Sequence, residues 1–227
     1  MKVLFVHGFG GEDGGKMEHA LAECAATSEH TVLPFRWRSG NLKLMLGEGF
    51  GNILGEALSN VNPLRVSARV LLAIQQSAQT HWDNALAHIT IANLTLLGSI
   101  RRFIKLDEDF SIIAFSLGAR VTLMALQSLR DDPQPLRHVI FAGAAVSRSA
   151  FGLIPTTLRV PRGDRVINVY SDEDYVLRDI YPLIHGCGDA AGINPVLSEG
   201  VKNVHVDAGH LSYPTLARLL FDLAVGG

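Results

Sequence analysis

Residues Asp109 to Arg120 read Asp-Phe-Ser-Ile-Ile-Ala-Phe-Ser-Leu-Gly-Ala-Arg, and the chain continues as Val-Thr-Leu-Met-Ala-Leu-Gln-Ser-Leu-Arg before the Asp-Asp-Pro of residues 131–133. The first apolar run, rich in Ile and Phe, predicts a short strand buried on both faces of a parallel sheet. The continuation predicts a helix, because Arg120, Gln127 and Arg130 share one polar stripe. Between them lies Ala114-Phe115-Ser116-Leu117-Gly118. A strand that turns directly into a helix around Ser-x-Gly has the geometry of a nucleophile elbow, in which a strained backbone lifts the serine hydroxyl above the sheet. The close passage of strand and helix there calls for small residues two before and two after the serine. Gly118 meets that need, and Ala114 adds one methyl to it. The competing reading makes Ser116 only a helix cap, for which serine is well suited. This stretch alone leaves both open.

The 227 residues, 48% of them hydrophobic, suffice for a sizeable core and predict a single α/β domain over 1–227, with a helical insertion at about 40–106. A net charge of -2 with scattered basic residues argues against a nucleic-acid partner. Two cysteines, Cys24 and Cys187, fit neither a disulfide framework nor a zinc spacing, so buried thiols in a reducing, cytoplasmic setting are expected. The run before His7 and Gly8 is too short for a signal peptide. The uncharged stretch from Asn84 to Ile100 falls short of the roughly 20 apolar residues that span a bilayer. A soluble chain with no transmembrane segment is therefore expected.

Lys2 to Val6 predicts the first strand, leading into the glycine-rich turn His7-Gly8-Phe9-Gly10-Gly11. Met17, Ala20, Leu21, Cys24 and Ala25 then mark one helix face. The turn approximates a P-loop, but Met17 stands where magnesium needs a Ser or Thr, and Glu12 and Asp13 repel phosphate. A dinucleotide fingerprint fails at Asp13. The remaining use of such a turn is half of an oxyanion hole, with a backbone N–H near Phe9 aimed at developing charge. Further strands are expected at Thr31–Arg36, Val139–Ala142, Arg165–Tyr170 and Val201–Val206. Helices are expected at about Leu64–Gln79, Asp83–Phe103 with Asp83 as cap, and Pro214–Val225. The alternation implies a mostly parallel central sheet with helices on both faces. Asn41 to Asn62, apolar and rich in glycine, is read as core packing rather than a lid.

In such a sheet ligands bind at the carboxyl ends of the strands. Phe9, Ser116, Asp172 or Asp174, and His210 each follow a strand, in the Ser, Asp, His order of the α/β-hydrolases. Asp174 is favoured as the acid because Tyr175, Val176 and Leu177 can bury and fix its turn, whereas Glu173 beside Asp172 suits solvent. His7 is read as ordering its loop. His205 and Asp207 are given structural roles, their spacing with His210 being a weak metal signal.

His7-Gly8-Phe9-Gly10-Gly11, Phe115-Ser116-Leu117-Gly118-Ala119-Arg120-Val121, Tyr170-Ser171-x-x-Asp174-Tyr175-Val176-Leu177, Ala191-Gly192-Ile193-Asn194-Pro195-Val196 and Gly209-His210-Leu211-Ser212-Tyr213 carry a resemblance. They resemble the uncharacterised α/β-hydrolase family that includes the transmembrane and coiled-coil domain-containing proteins of eukaryotes (domain of unknown function 726). The resemblance covers mainly Phe110 to Tyr213. It implies the α/β-hydrolase fold and lipase-like or esterase-like chemistry, and its Tyr-Ser-x-x-Asp pattern also selects Asp174.

The expected function is a serine hydrolase of a small-molecule or lipid-like carboxylic ester, needing no cofactor and no metal. Ser116 attacks, His210 moves the proton, Asp174 orients the imidazole, and N–H groups near Phe9 and Leu117 hold the oxyanion. Phe9, Leu42 to Leu58 and Phe151 to Pro155 are expected to border an apolar acyl pocket favouring chains longer than acetyl. The alternative is a non-catalytic α/β-hydrolase-like binding or interaction module.

Overall fold

A computed structural model describes residues 1–9, 15–39, 68–129, 135–159, 165–182 and 188–226, with side chains of the long helix described from residue 83 onward. Strands β1 (Lys2–Val6), β2 (Thr31–Phe35), β3 (Phe110–Phe115), β4 (Leu136–Ala142), β5 (Val166–Tyr170) and β6 (Val201–His205) alternate with helices α1 (Lys16–Ala26), α2 (Ala68–Leu106), α3 (Gly118–Gln127), α4 (Thr156–Arg159) and α5 (Ala217–Val225). The strands form one sheet in the order β2-β1-β3-β4-β5-β6, and every neighbouring pair is parallel. The carboxyl ends of the six strands therefore lie along one edge.

Successive side chains of a strand point to opposite faces, and here both faces are apolar. Val3, Phe5, Ile113, Ile140, Ala142, Ile167 and Val169 pack on one side with Met17, Leu21 and Ala25 of α1 and Leu220, Phe221 and Ala224 of α5. Leu4, Val6, Phe110, Ile112, Ala114, Val139 and Phe141 pack on the other with α2 and α3. Along α2, Ile89, Asn93, Leu96, Ile100 and Phe103 are all buried. This is an α/β fold with helices on both faces of a parallel sheet.

Local readings of the sequence differ from the structure at four places. The two expected helices around Asp83 are one helix of 39 residues, and Asp83 lies inside it. Thr80, His81 and Trp82 contain no backbone breaker, and a residue type that suits a cap does not by itself stop a helix. Pro214 lies in a 3-10 segment, His210–Leu216, that precedes α5 rather than in the first turn of the α-helix. Cys24 is only partly buried, although what burial it has raises its thiol pKa, and Cys187 lies outside the described residues. Phe151 and Ile154, expected to border a pocket, are core residues. Phe151 meets Phe141 edge-on with ring centroids 4.8 Å apart. Leu42 to Leu58 lies outside the described residues, as do residues 10–14 of the glycine-rich turn.

The tight passage at the elbow is between Gly118 and the neighbouring strand β1, not between Gly118 and its own strand. A Cβ on Gly118 would lie 2.3 Å from the Val6 carbonyl oxygen and 2.6 Å from that of His7. Gly118→Ala is expected to destabilise the protein by about 2 kcal/mol or more, as overpacking against backbone does. Gly98 is a helical glycine with nothing within 4 Å of an added Cβ, so Gly98→Ala is expected to stabilise by about 0.5–1 kcal/mol. Chemical denaturation of the two variants, read for opposite shifts in midpoint, checks both.

Candidate active site

Ser116 follows the last residue of β3 and has φ of +53°, a left-handed backbone that non-glycine residues rarely adopt. Three backbone hydrogen bonds hold it there. Its N–H donates to Ala142 O at 3.0 Å, and its carbonyl accepts from Ala119 N and Ala145 N, each at 3.1 Å. The N-cap position of the following helix is Leu117, and the Ser116 hydroxyl is engaged by His210 instead. Ser116 is thus an elbow serine and not an N-cap.

The serine hydroxyl faces His210. Nε2 of His210 lies 2.9 Å from Ser116 Oγ, and Nδ1 lies 2.7 Å from Asp174 Oδ2. An ionised carboxylate only accepts hydrogen bonds, so Nδ1 carries the imidazole proton and Nε2 is free to accept from the serine hydroxyl. Asp174 is fully buried, while Ser116 and His210 are each 7% exposed. The second oxygen of the carboxylate, Oδ1, accepts from Leu177 N at 3.0 Å, at the start of a π-helical turn, Val176–Ile180. Phe115 stacks on the imidazole with centroids 5.0 Å apart, and Tyr213 meets it edge-on. Tyr213 is itself buried beside Asp174, and loss of solvent first, then the carboxylate charge, pushes its phenol pKa up.

The strand-one loop lies directly against the serine. A Cβ on Gly8 would stand 2.6 Å from Ser116 Cβ and 3.2 Å from Ser116 Oγ, so only glycine lets this backbone come so near. His7 orders the loop, as expected from sequence. The Trp37 backbone N–H donates to His7 Nε2 at 3.2 Å, and the Trp37 indole N–H donates to His7 O at 3.0 Å. A nitrogen that accepts carries no proton, so His7 is neutral and its Nδ1–H donates to Gly8 O at 2.8 Å. In a trans planar peptide the N–H points opposite to the C=O. The N–H of Phe9 is therefore turned away from the His7 ring. Leu117 is fully buried and precedes the first residue of α3, where the leading N–H groups have no intrahelical acceptor.

Asp172 takes no part in this cluster. It is exposed and pairs with His205, Oδ1 to Nε2 at 2.7 Å, while Asp207 lies 3.9 Å from the other ring nitrogen. His205 and Asp207 are thus surface partners, and no group of three metal-holding side chains occurs among the described residues. Several supporting residues have no role legible from sequence. Trp37 holds His7, Gly192 lets residues 190–193 pass against Ala144 N and Leu177, and Asn168, buried in β5, reaches Ala191 O and Asn194 O. A polar residue inside an otherwise apolar strand is the signal that could have found Asn168.

Residues 103–225 match the family model described as "Protein of unknown function (DUF726)". The chain is 28% identical over 195 residues to an uncharacterized membrane protein of Schizosaccharomyces pombe, covering 81% of this chain and 33% of that protein. It is 29% identical over 158 residues to a transmembrane and coiled-coil domain-containing protein of Oryza sativa subsp. japonica, covering 67% of this chain and 24% of that protein. The chain thus spans a third or less of these relatives. No helix among the described residues is long and apolar enough to cross a membrane. Among solved structures, the crystal structure of TT1662 from Thermus thermophilus aligns with a TM-score of 0.43 at 15% identity, over 98% of this chain and 86% of that one.

The Asp172–His205 pair has a defined pH window. The hydrogen bond from His205 lowers the Asp172 pKa, and the same bond, with smaller contributions from Asp207 and Glu173, raises that of His205. What the pair adds to stability is complete below the unfolded histidine value, about 6.5, and is lost as pH rises through the raised folded value. On the acid side it is lost as pH falls through the depressed Asp172 value. Following the His205 ring by NMR across pH should give a midpoint above the ordinary one, and Asp172→Asn should bring it back toward about 6.5. An unchanged midpoint in that variant would contradict the pairing.

Proposed function

The chain belongs to the DUF726 family of proteins of unknown function, and from that premise we propose that it is a serine hydrolase of the α/β-hydrolase type, cleaving carboxylic esters. The observation that carries the proposal is the unbroken relay from Asp174 Oδ2 to His210 Nδ1 at 2.7 Å and from His210 Nε2 to Ser116 Oγ at 2.9 Å. A helix cap or a packing histidine needs neither a buried carboxylate nor a left-handed serine. The combination is what nucleophilic acyl transfer uses.

In the proposed reaction Ser116 Oγ attacks the ester carbonyl as its proton passes to His210 Nε2. Asp174 holds the imidazole in the tautomer that leaves Nε2 able to accept, and stabilises the imidazolium that forms. His210 then returns the proton to the departing alcohol. Water, deprotonated by the same nitrogen, releases the acyl group and restores the serine. The tetrahedral oxyanion is assigned to the N–H groups of Phe9 and Leu117. The orientation of the Gly8–Phe9 peptide by His7 and the position of Leu117 at the head of α3 support that assignment. Burial of the relay adds to it, since hydrogen bonds to developing charge strengthen where water is excluded.

A fluorophosphonate probe is expected to label the protein at Ser116, with Ser116→Ala abolishing the label and leaving the thermal unfolding midpoint near that of the parent. Absence of labelling on folded protein at neutral pH would favour a non-catalytic binding module instead. For ester turnover, Asp174→Asn should lower kcat by about 10⁴, as loss of a triad carboxylate does elsewhere, and Asp172→Asn should be close to silent. The reverse pattern in steady-state kinetics would overturn the assignment of the acid.

A further inference from the structure

We propose that Ser171 is the positioning residue that keeps Asp174 and His210 in register; its kinetic consequence rests on the hydrolase reading, its geometric one does not. Ser171 is fully buried and is the first residue after β5. Its main chain is engaged on both sides, the N–H donating to Gly192 O at 2.9 Å and the carbonyl accepting from Asp174 N at 3.2 Å. Its side-chain oxygen accepts twice more, from Glu173 N at 3.2 Å and from Ala208 N at 3.2 Å. The first of these shapes the turn that presents Asp174. The second crosses 37 residues of chain to the loop that ends in His210.

A single buried oxygen thus joins the turn carrying the acid to the loop carrying the base. Of the other local restraints, Tyr213 packs beside both partners, Leu177 N bonds the carboxylate and Phe115 stacks on the imidazole. The backbone bond from Val206 N to Tyr170 O, 3.0 Å, aligns the strands one step earlier. The Asp172–His205 pair spans the same gap from outside, but it is exposed to water and so is weak. Beyond residue 206, the Ser171 hydroxyl hydrogen-bonds the backbone of both segments across which Asp174 and His210 must meet. Removing it leaves two backbone donors without their acceptor and frees the His210 loop to shift relative to the acid.

The test uses the full chain with Ser171→Ala, alone and combined with Asp174→Asn. Turnover of 4-nitrophenyl butyrate is measured together with the downfield proton resonance of His210 Nδ1–H. Displacement of the base by a fraction of an ångström to an ångström should lower kcat by about 10- to 100-fold, with KM changed less than about twofold. In the Asp174→Asn background, where the relay is already broken, the same substitution should cost less than about threefold. The resonance should shift or broaden in Ser171→Ala. An equal loss of kcat in both backgrounds, or an unmoved resonance, would overturn the proposal. If the parent protein turns over no ester, the hydrolase reading fails, and the resonance still decides the positioning role one way or the other. If Ser171→Ala does not fold, Ser171→Cys, similar in size and a weak acceptor, carries the same comparison.

Discussion

At Ser116 the chain passes through a φ of +53°, a conformation that costs a residue bearing a Cβ about 1–3 kcal/mol, and the surrounding backbone is arranged to hold it. Ala142 at the end of β4 accepts its N–H, and Ala145 and Ala119 both donate to its carbonyl. The sharp reversal drives the head of α3 beneath the end of β1, which is why no Cβ fits at Gly118. It also brings the loop after β1 onto the serine itself, which is why none fits at Gly8. One strained dihedral therefore sets the residue type at two distant positions. It also determines that the strand-one loop lines the candidate site.

The acid and the base obey a different constraint. Neither is strained, and each depends on turns that are far apart in sequence. Asp174 sits in a turn packed against residues 190–193, through Ser171 N to Gly192 O and Gly192 N to Ala144 O. That segment is in turn suspended from buried Asn168 and from Asn203, which both accepts from and donates to Val196. The Ala191-Gly192-Ile193-Asn194-Pro195-Val196 run is thus a scaffold between the exits of β4, β5 and β6. It supplies no group to the relay.

Strands β1, β3, β4 and β5 were legible in the sequence because burial on both faces leaves a continuous apolar run bounded by polar turns. Ser116, Asp174 and His210, which the fold brings together, could be picked out because each follows a strand and is of a chemically committed type. Asp174 could be separated from Asp172 by the apolar residues after it, and burial of Leu177 with its N–H on the carboxylate gives the physical reason. The length of α2 is not legible locally, because a cap-like residue such as Asp83 carries no information on what the helix packs against. Phe151 was misplaced since apolar character marks core and pocket wall alike. Trp37 carries no local signal, and Ser171 and Gly192 stand in the quoted motifs without a legible role, because their partners lie elsewhere in the chain and become neighbours only in the folded sheet.

The relay spans 94 residues between Ser116 and His210 and 36 between Asp174 and His210, and its base is presented by the strand at the edge of the described sheet. Along that strand the burial pattern alternates between half-buried and exposed, whereas β3 and β5 are almost wholly buried. Elements of this kind open at a lower free energy than the core of the same molecule. The base thus depends on the margin of the described sheet, whereas the Ser116 turn is held between central strands.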